Sequence, residues 1–177
     1  LKEDAGKMLV GIFEPNAKPA FKDTGIVPEN FSFGELPDDF DHFEPYLKKS
    51  FHRLPMLENA GIRKFFSGPE SFTPDTQYLL GETPEIKNFF TCCGFNSIGI
   101  ASSGGAGRVT AEWMINGHIN EDLFSVDIKR FQQFHSSKKF IMERVTETLG
   151  DLYGMHWPYK QHKTSRNQIT LPYHEEL

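Results

Sequence analysis

The residues best suited to chemistry lie between Phe89 and His118, in FFTCCGFNSIGIASSGGAGRVTAEWMINGH. Phe89 to Cys93 is a short apolar run without polar alternation, as in a strand covered on both faces. Gly94, Gly99, Gly104, Gly105 and Gly107 then remove side chains where something comes close to the backbone. The spacing predicts a loop over Gly94 to Gly105 and an amphipathic helix over about Ala106 to Asn116, with Ser102 or Ser103 as its cap. Strand, glycine loop and helix start together suit an anion or cofactor. The first-turn N–H groups have no intrahelical acceptor and carry partial positive charge. The loop is no nucleoside-triphosphate cradle, because no Gly-Lys-Ser/Thr follows the glycines. It is also a poor dinucleotide fingerprint: Gly105 and Gly107 supply G-x-G, but Thr110 stands in the third place. The competing role is a bare connection that lets a helix pack closely on a sheet.

Other reactive side chains give weaker patterns. Cys92 and Cys93 are adjacent, where a mutual disulfide would be strained, so they read as buried, reduced thiols. Neither has an evident general base nearby, and no serine sits in a G-x-S-x-G elbow. Glu70 and Asp75 share one turn; a turn cap outweighs acid–base work. No catalytic residue is identified. Among seven histidines none forms H-x-x-x-H, and His156 and His162 are six apart on a loop, so no metal site is expected. His42 and His52 read as solvated or core-edge residues.

The elements that must position these groups follow from periodicity. Lys7 to Glu14 has the apolar density of a strand. Ala17 to Pro37 is a long aperiodic loop, pinned by Phe21, Phe31 and Phe33. Asp38-Asp39 starts a helix whose apolar face is Phe40, Phe43, Leu47, Phe51 and Leu54, with Pro45 near its beginning. Gly61 to Phe66 and Tyr78 to Gly81 read as strands. Ala106, Val109, Trp113 and the Met114/Gly117 side form the inward stripe of the helix after the loop. Asp127 to Phe134 and Ser137 to Tyr153 read as two further helices. Phe140, Ile141, Val145, Leu149, Leu152 and Tyr153 form the buried face of the second. The polar stretch from Trp157 to Leu177 is irregular.

A length of 177 residues suits one domain or one and a half, and seventeen phenylalanines place much of the core on aromatics. The net charge of −5 argues against a general nucleic-acid surface. No apolar run approaches the roughly 20 residues that span a bilayer. The start at Leu1, close to a strand, suggests a piece of something longer.

At GPESFTPD (Gly68 to Asp75), LLGETPE (Leu79 to Glu85) and GFNSIGIASSGGAG (Gly94 to Gly107), the chain resembles the flavin amine oxidoreductases of the D-amino-acid-oxidase superfamily. Within these it is most similar to the sarcosine dehydrogenase and dimethylglycine dehydrogenase family. FEPN, DHFEP, DIKRF and the closing RNQITLPYHEEL support the match. The resemblance implies an internal α+β fragment: antiparallel substrate-domain strands and the closing strand-loop-helix of a flavin domain over 1–118, then helices of a linking domain over 119–177. It implies FAD in the full-length protein, with Gly94, Asn96, Ser97, Ile98, Gly99 and Ile100 beside the flavin ring and the ADP-binding unit outside this chain. The fragment alone is expected to be inactive and to retain no flavin. The full protein would oxidise an N-methyl amino acid, sarcosine or dimethylglycine, in the cytoplasm or mitochondrial matrix. Monomeric sarcosine oxidases have a lysine at the place of Ala101 and a flavin-linked cysteine at that of Gly68; their absence favours a dehydrogenase that passes electrons to a carrier protein. The alternative is a regulatory, non-catalytic relative, like the pyruvate dehydrogenase phosphatase regulatory subunit.

Overall fold

The computed structural model describes residues 1–155, 158–167 and 170–174. They form two compact units, residues 1–14 with 18–69 and residues 15–17 with 70 onward. The expected stretch beyond Trp157 is described only over 158–167 and 170–174; His156 and Trp157 lie outside the described residues.

In the first unit, β1 (Lys2–Asp4) and β2 (Lys7–Leu9) make a hairpin that pairs Asp4 with Lys7. Its two turn residues, Ala5 and Gly6, both have positive φ, the twist a two-residue hairpin needs. The strand expected from Lys7 to Glu14 therefore stops at Leu9. Helix α1 (Phe40–Arg53) begins where Asp39 Oδ1 accepts the His42 N–H at 3.1 Å. Pro45 lies inside α1 rather than at its start. Phe40 and Phe43 pack edge-on or tilted against Phe65, with ring centroids 5.9 and 5.3 Å apart. His42 Nε2 lies 3.3 Å from Glu14 Oε1. Phe21 and Phe31 pin the long loop edge to face at 5.1 Å, but Phe33 is fully exposed and pins nothing. Gly61 to Phe66 is not a strand. Among the described residues only an isolated bridge between Leu36 and Ser67 forms beside it, with no ladder to extend it.

In the second unit, β3 (Leu79–Glu82) and β4 (Phe90–Cys93) pair antiparallel, Leu79 opposite Cys93 and Glu82 opposite Phe90. Among the described residues β4 has no second neighbour. Cys92 and Cys93 are consequently exposed, against the buried pair expected from their apolar run. Helix α2 spans Gly99–Asn116. It buries Ala106, Val109, Thr110 and Trp113, and the core joins the first two to Leu80 and Val126. Met114, expected inside, is 55% exposed. At Gly117 (φ 74) the N–H returns to Trp113 O at 2.8 Å and closes the helix in a left-handed cap. Gly81 has φ +112, and a Cβ there would lie 2.8 Å from the Trp113 ring. Only glycine lets β3 and α2 meet this closely.

The helix expected over Asp127 to Phe134 is instead two 3-10 turns, Ile128–Arg130 and Gln133–Ser136. Helix α3 (Lys138–Asp151) follows. Ser137 occupies its cap position without a side-chain hydrogen bond, and Thr148 is its buried residue. Ile141 and Tyr153, expected on the buried face, are exposed, whereas Phe140, Val145, Leu149 and Leu152 are half-buried. The architecture is α+β, with small antiparallel sheets and three α-helices among the described residues.

Candidate functional site

The glycine segment after β4 folds differently from the simplest reading of its spacing. The loop is short, Gly94 to Ile98, and α2 begins at Gly99 rather than near Ala106. Gly99, Gly104, Gly105 and Gly107 are thus helical, and Ser102 and Ser103 lie inside the helix instead of capping it. Helix packing through Ala106, Val109 and Trp113 outweighs the poor propensity of these glycines.

Three residues of the bend, Gly94 (φ 66), Asn96 (φ 50) and Ser97 (φ 69), are left-handed. Such backbone is unfavourable for Asn and Ser unless the surroundings hold it. Asn96 supplies that hold and is only 2% exposed. Its Oδ1 accepts the Thr73 N–H at 2.8 Å, and its Nδ2 donates to Gly94 O at 2.6 Å and to Thr73 Oγ1 at 3.1 Å. The ring of Phe95 stacks on Tyr78 at 4.9 Å. Ser97 Oγ donates to Glu70 Oε2 at 2.8 Å.

Thr73 belongs to a turn that is itself anchored. Asp75 takes two hydrogen bonds from Arg130, Nε to Oδ2 at 2.7 Å and Nη2 to Oδ1 at 3.1 Å. Arg130 also donates to the carbonyls of Val126, Asp127 and Gln77. Asp75 Oδ1 accepts the Gln77 N–H at 3.1 Å, so it caps the turn as expected, while Glu70 holds the bend and not the turn. The FTPD, GFNS and DIKR segments form one hydrogen-bonded frame around the bend.

The frame fixes what faces outward. Ile98 N–H bonds Phe95 O, and Ser102 N–H bonds Ile98 O, both at 3.0 Å. The N–H groups of Gly99, Ile100 and Ala101 have no carbonyl one turn earlier within α2, and Ile98 provides no side-chain cap. The Ile100 side chain is fully exposed and that of Ile98 is 40% exposed. A Cβ added at Gly104, Gly105 or Gly107 would meet nothing within 4 Å. At Gly99 it would instead touch Phe95 Cβ at 3.4 Å, so this hydrogen faces the protein's own bend. A cleft of about 320 Å³ runs alongside, lined by Tyr78, Leu80, Ala101, Ser102, Gly105 and Leu123 among others.

The six expected site residues therefore form one continuous bend and helix start, but their parts differ. The Asn96 amide is engaged inward and the exposed Ser97 hydroxyl is held by Glu70, leaving backbone at 99–101 and the Ile98 and Ile100 side chains to meet anything outside. Sequence reasoning missed Thr73 and Arg130. Arg130 and Asp75 stand 55 residues apart, and no spacing rule links them.

The profile of the family described as "FAD dependent oxidoreductase" matches residues 3–113, and that described as "FAD dependent oxidoreductase central domain" matches residues 116–170. The chain is 40% identical over its whole length to a 4-methylaminobutanoate oxidase (formaldehyde-forming) from Paenarthrobacter nicotinovorans, covering 21% of that protein. It is 37% identical to the mitochondrial pyruvate dehydrogenase phosphatase regulatory subunit of Mus musculus, over 97% of the chain and 19% of that protein. It is also 37% identical to mouse mitochondrial sarcosine dehydrogenase, over 100% of the chain and 19% of that protein. The chain spans about a fifth of the length of these relatives. No helix among the described residues is long and apolar enough to cross a membrane.

Proposed function

The chain belongs to the FAD dependent oxidoreductase family, and from that premise we propose that its whole protein oxidises an N-methylated amino acid, with the bend at Gly94–Ile100 set against the flavin. The carrying observation is the outward-facing, uncapped start of α2, held by a bend locked from inside. In this reading bound FAD would supply the hydride-accepting chemistry needed at the N-methyl carbon. The residues of this chain do the positioning. The N–H groups of Gly99, Ile100 and Ala101, with the partial positive charge of an 18-residue helix, stabilise negative charge that develops opposite them. Ile98 and Ile100 exclude water from the same face. Asn96, Thr73, Asp75 and Arg130 keep those groups in place before the reaction begins, so little reorganisation is needed.

These residues fit one edge of a flat, acceptor-rich group, because the Asn96 amide is turned inward, the Ser97 hydroxyl is taken up by Glu70, and N–H donors and apolar surface are presented. The boundary proposed near residue 118, between the flavin and substrate part and a linking part, is supported by the two adjoining profile matches. For the substrate, sarcosine ranks above dimethylglycine, since the named sarcosine dehydrogenase is 37% identical and the human dimethylglycine dehydrogenase 25%. The 40% identical 4-methylaminobutanoate oxidase adds a longer N-methylamino acid to be tested, and leaves oxygen beside a carrier protein as the electron acceptor.

Full-length protein mixed anaerobically with sarcosine, dimethylglycine or 4-methylaminobutanoate tests the reading. Bleaching of the flavin absorbance by one of them is expected. The second reading, a regulatory protein, is favoured by the equal identity to the phosphatase regulatory subunit. Retained flavin that none of the three amines bleaches would decide for it.

A further inference from the structure

Outside the bend, the segment after α3 is drawn back along that helix by a seam of side chains. Glu147 Oε1 accepts the Lys163 N–H at 2.7 Å, and Oε2 accepts the N–H and hydroxyl of Thr164 at 2.9 and 2.5 Å. Arg144 donates to the carbonyl and hydroxyl oxygens of Thr164, and Ser165 Oγ donates to Glu143. Asp151 Oδ1 pairs with the Lys160 ammonium. Among the described residues, two buried atoms of this seam have no hydrogen-bond partner: Asp151 Oδ2 and His162 Nδ1. Both are strong ligand atoms, and a buried polar atom without a partner is destabilising. One donor each from Glu147, Asp151 and His162 lies within 4.8 Å of the other two.

We infer that Glu147, Asp151 and His162 bind a divalent metal ion of the zinc type, which staples the segment around His162 to α3. Glu147 and Asp151 stand one helical turn apart on the same face, and His162 approaches from the facing segment. Two carboxylates and one imidazole, with water in a fourth position, is a donor set suited to Zn²⁺. Mg²⁺ and Ca²⁺ favour all-oxygen sites and are disfavoured here. Zinc–ligand distances of about 2.0–2.2 Å put tetrahedral donors roughly 3.4 Å apart, so small side-chain rotations would close the group. Lys160 occupies the other oxygen of Asp151, leaves Oδ2 free and offsets part of the site's negative charge. Sequence spacing could not show this site, because it joins two helical carboxylates to one distant histidine, not paired cysteines and histidines.

The test uses the whole protein, free of any affinity tag and stripped with chelator, titrated with Zn²⁺ and separately with Mg²⁺ by calorimetry. Thermal unfolding with and without Zn²⁺ is recorded alongside. One Zn²⁺ per chain and a higher melting temperature with Zn²⁺ are expected. His162→Gln and Asp151→Asn should each weaken binding by at least the roughly tenfold that loss of even an outer-shell partner costs. Changing Cys92 and Cys93 to Ser should leave it unaltered. Absent or non-saturating Zn²⁺ binding, a preference for Mg²⁺, or binding lost with the cysteines but kept in His162→Gln and Asp151→Asn would each overturn the assignment. Circular dichroism of the two variants separates loss of a ligand from loss of the fold.

Discussion

Replacing Asn96 probes the frame behind the bend most directly. Asn96→Ala removes three short hydrogen bonds, to Thr73 N, Thr73 Oγ1 and Gly94 O. At about 0.5–1.5 kcal/mol net for each, their loss costs about 1.5–4.5 kcal/mol, toward the upper end because Thr73 and Asn96 are 6% and 2% exposed. Alanine must also occupy φ near 50°, which costs a further 1 kcal/mol or so relative to asparagine. The sum is about 2.5–5.5 kcal/mol, a large share of a domain's typical stability of about 5–15 kcal/mol. Asn96→Gly removes the same bonds but tolerates the left-handed backbone, so its loss should be smaller by about 1 kcal/mol. Asn96→Asp keeps an acceptor for Thr73 N–H while losing the donor to Gly94 O, and should fall between wild type and alanine. Urea unfolding of the chain, followed by the fluorescence of Trp113, measures all three. A loss under about 1 kcal/mol for Asn96→Ala, or a glycine variant less stable than the alanine one, would refute the strut.

Three further outcomes follow from the geometry. Gly81→Ala combines a φ of +112 with a Cβ 2.8 Å from the Trp113 ring, so urea unfolding should show a loss of about 2–5 kcal/mol and a changed near-ultraviolet dichroism. Arg130→Lys keeps the charge but cannot bond Asp75 through two nitrogens while reaching Gln77 O, Val126 O and Asp127 O; in the full-length protein it should shift the flavin reduction potential or flavin retention more than Lys129→Arg does. Asp39 has its carboxyl below the ordinary range because the Lys18 hydrogen bond leads and the His42 N–H adds to it. With a folded value below the unfolded one, its contribution is complete above the usual carboxylate range and disappears as pH falls through the folded value. Helical dichroism from α1 should therefore decline at acid pH, and Asp39→Asn should flatten that decline.

The strand, bend and helix around Gly94 were legible because an apolar run followed by spaced glycines has few other solutions. The helix start was not, because the same glycines argue for a loop locally and are overruled by Ala106, Val109 and Trp113 packing on the unit's core. Ile128, Phe131 and Phe134 imitate a helix face, yet their strict spacing of three is that of 3-10 turns, which is what forms. Gly61 to Phe66 has strand composition but, among the described residues, no neighbour to pair with. The six residues proposed for the flavin side fall within one short stretch, 94–100, that spacing alone can single out, whereas Thr73, Asp75 and Arg130 behind them depend on contacts that only the folded chain creates.

Among the described residues β4 has a single neighbour, which has a consequence for handling the polypeptide. Its outer margin presents open amides and carbonyls beside the exposed thiols of Cys92 and Cys93. Two copies can zip together along that margin, since each carries the same unfilled template, and oxidation can then lock the pair. Clumping of the isolated polypeptide at high concentration, relieved by reductant, would accordingly reflect an uncovered margin and not a fault in the fold.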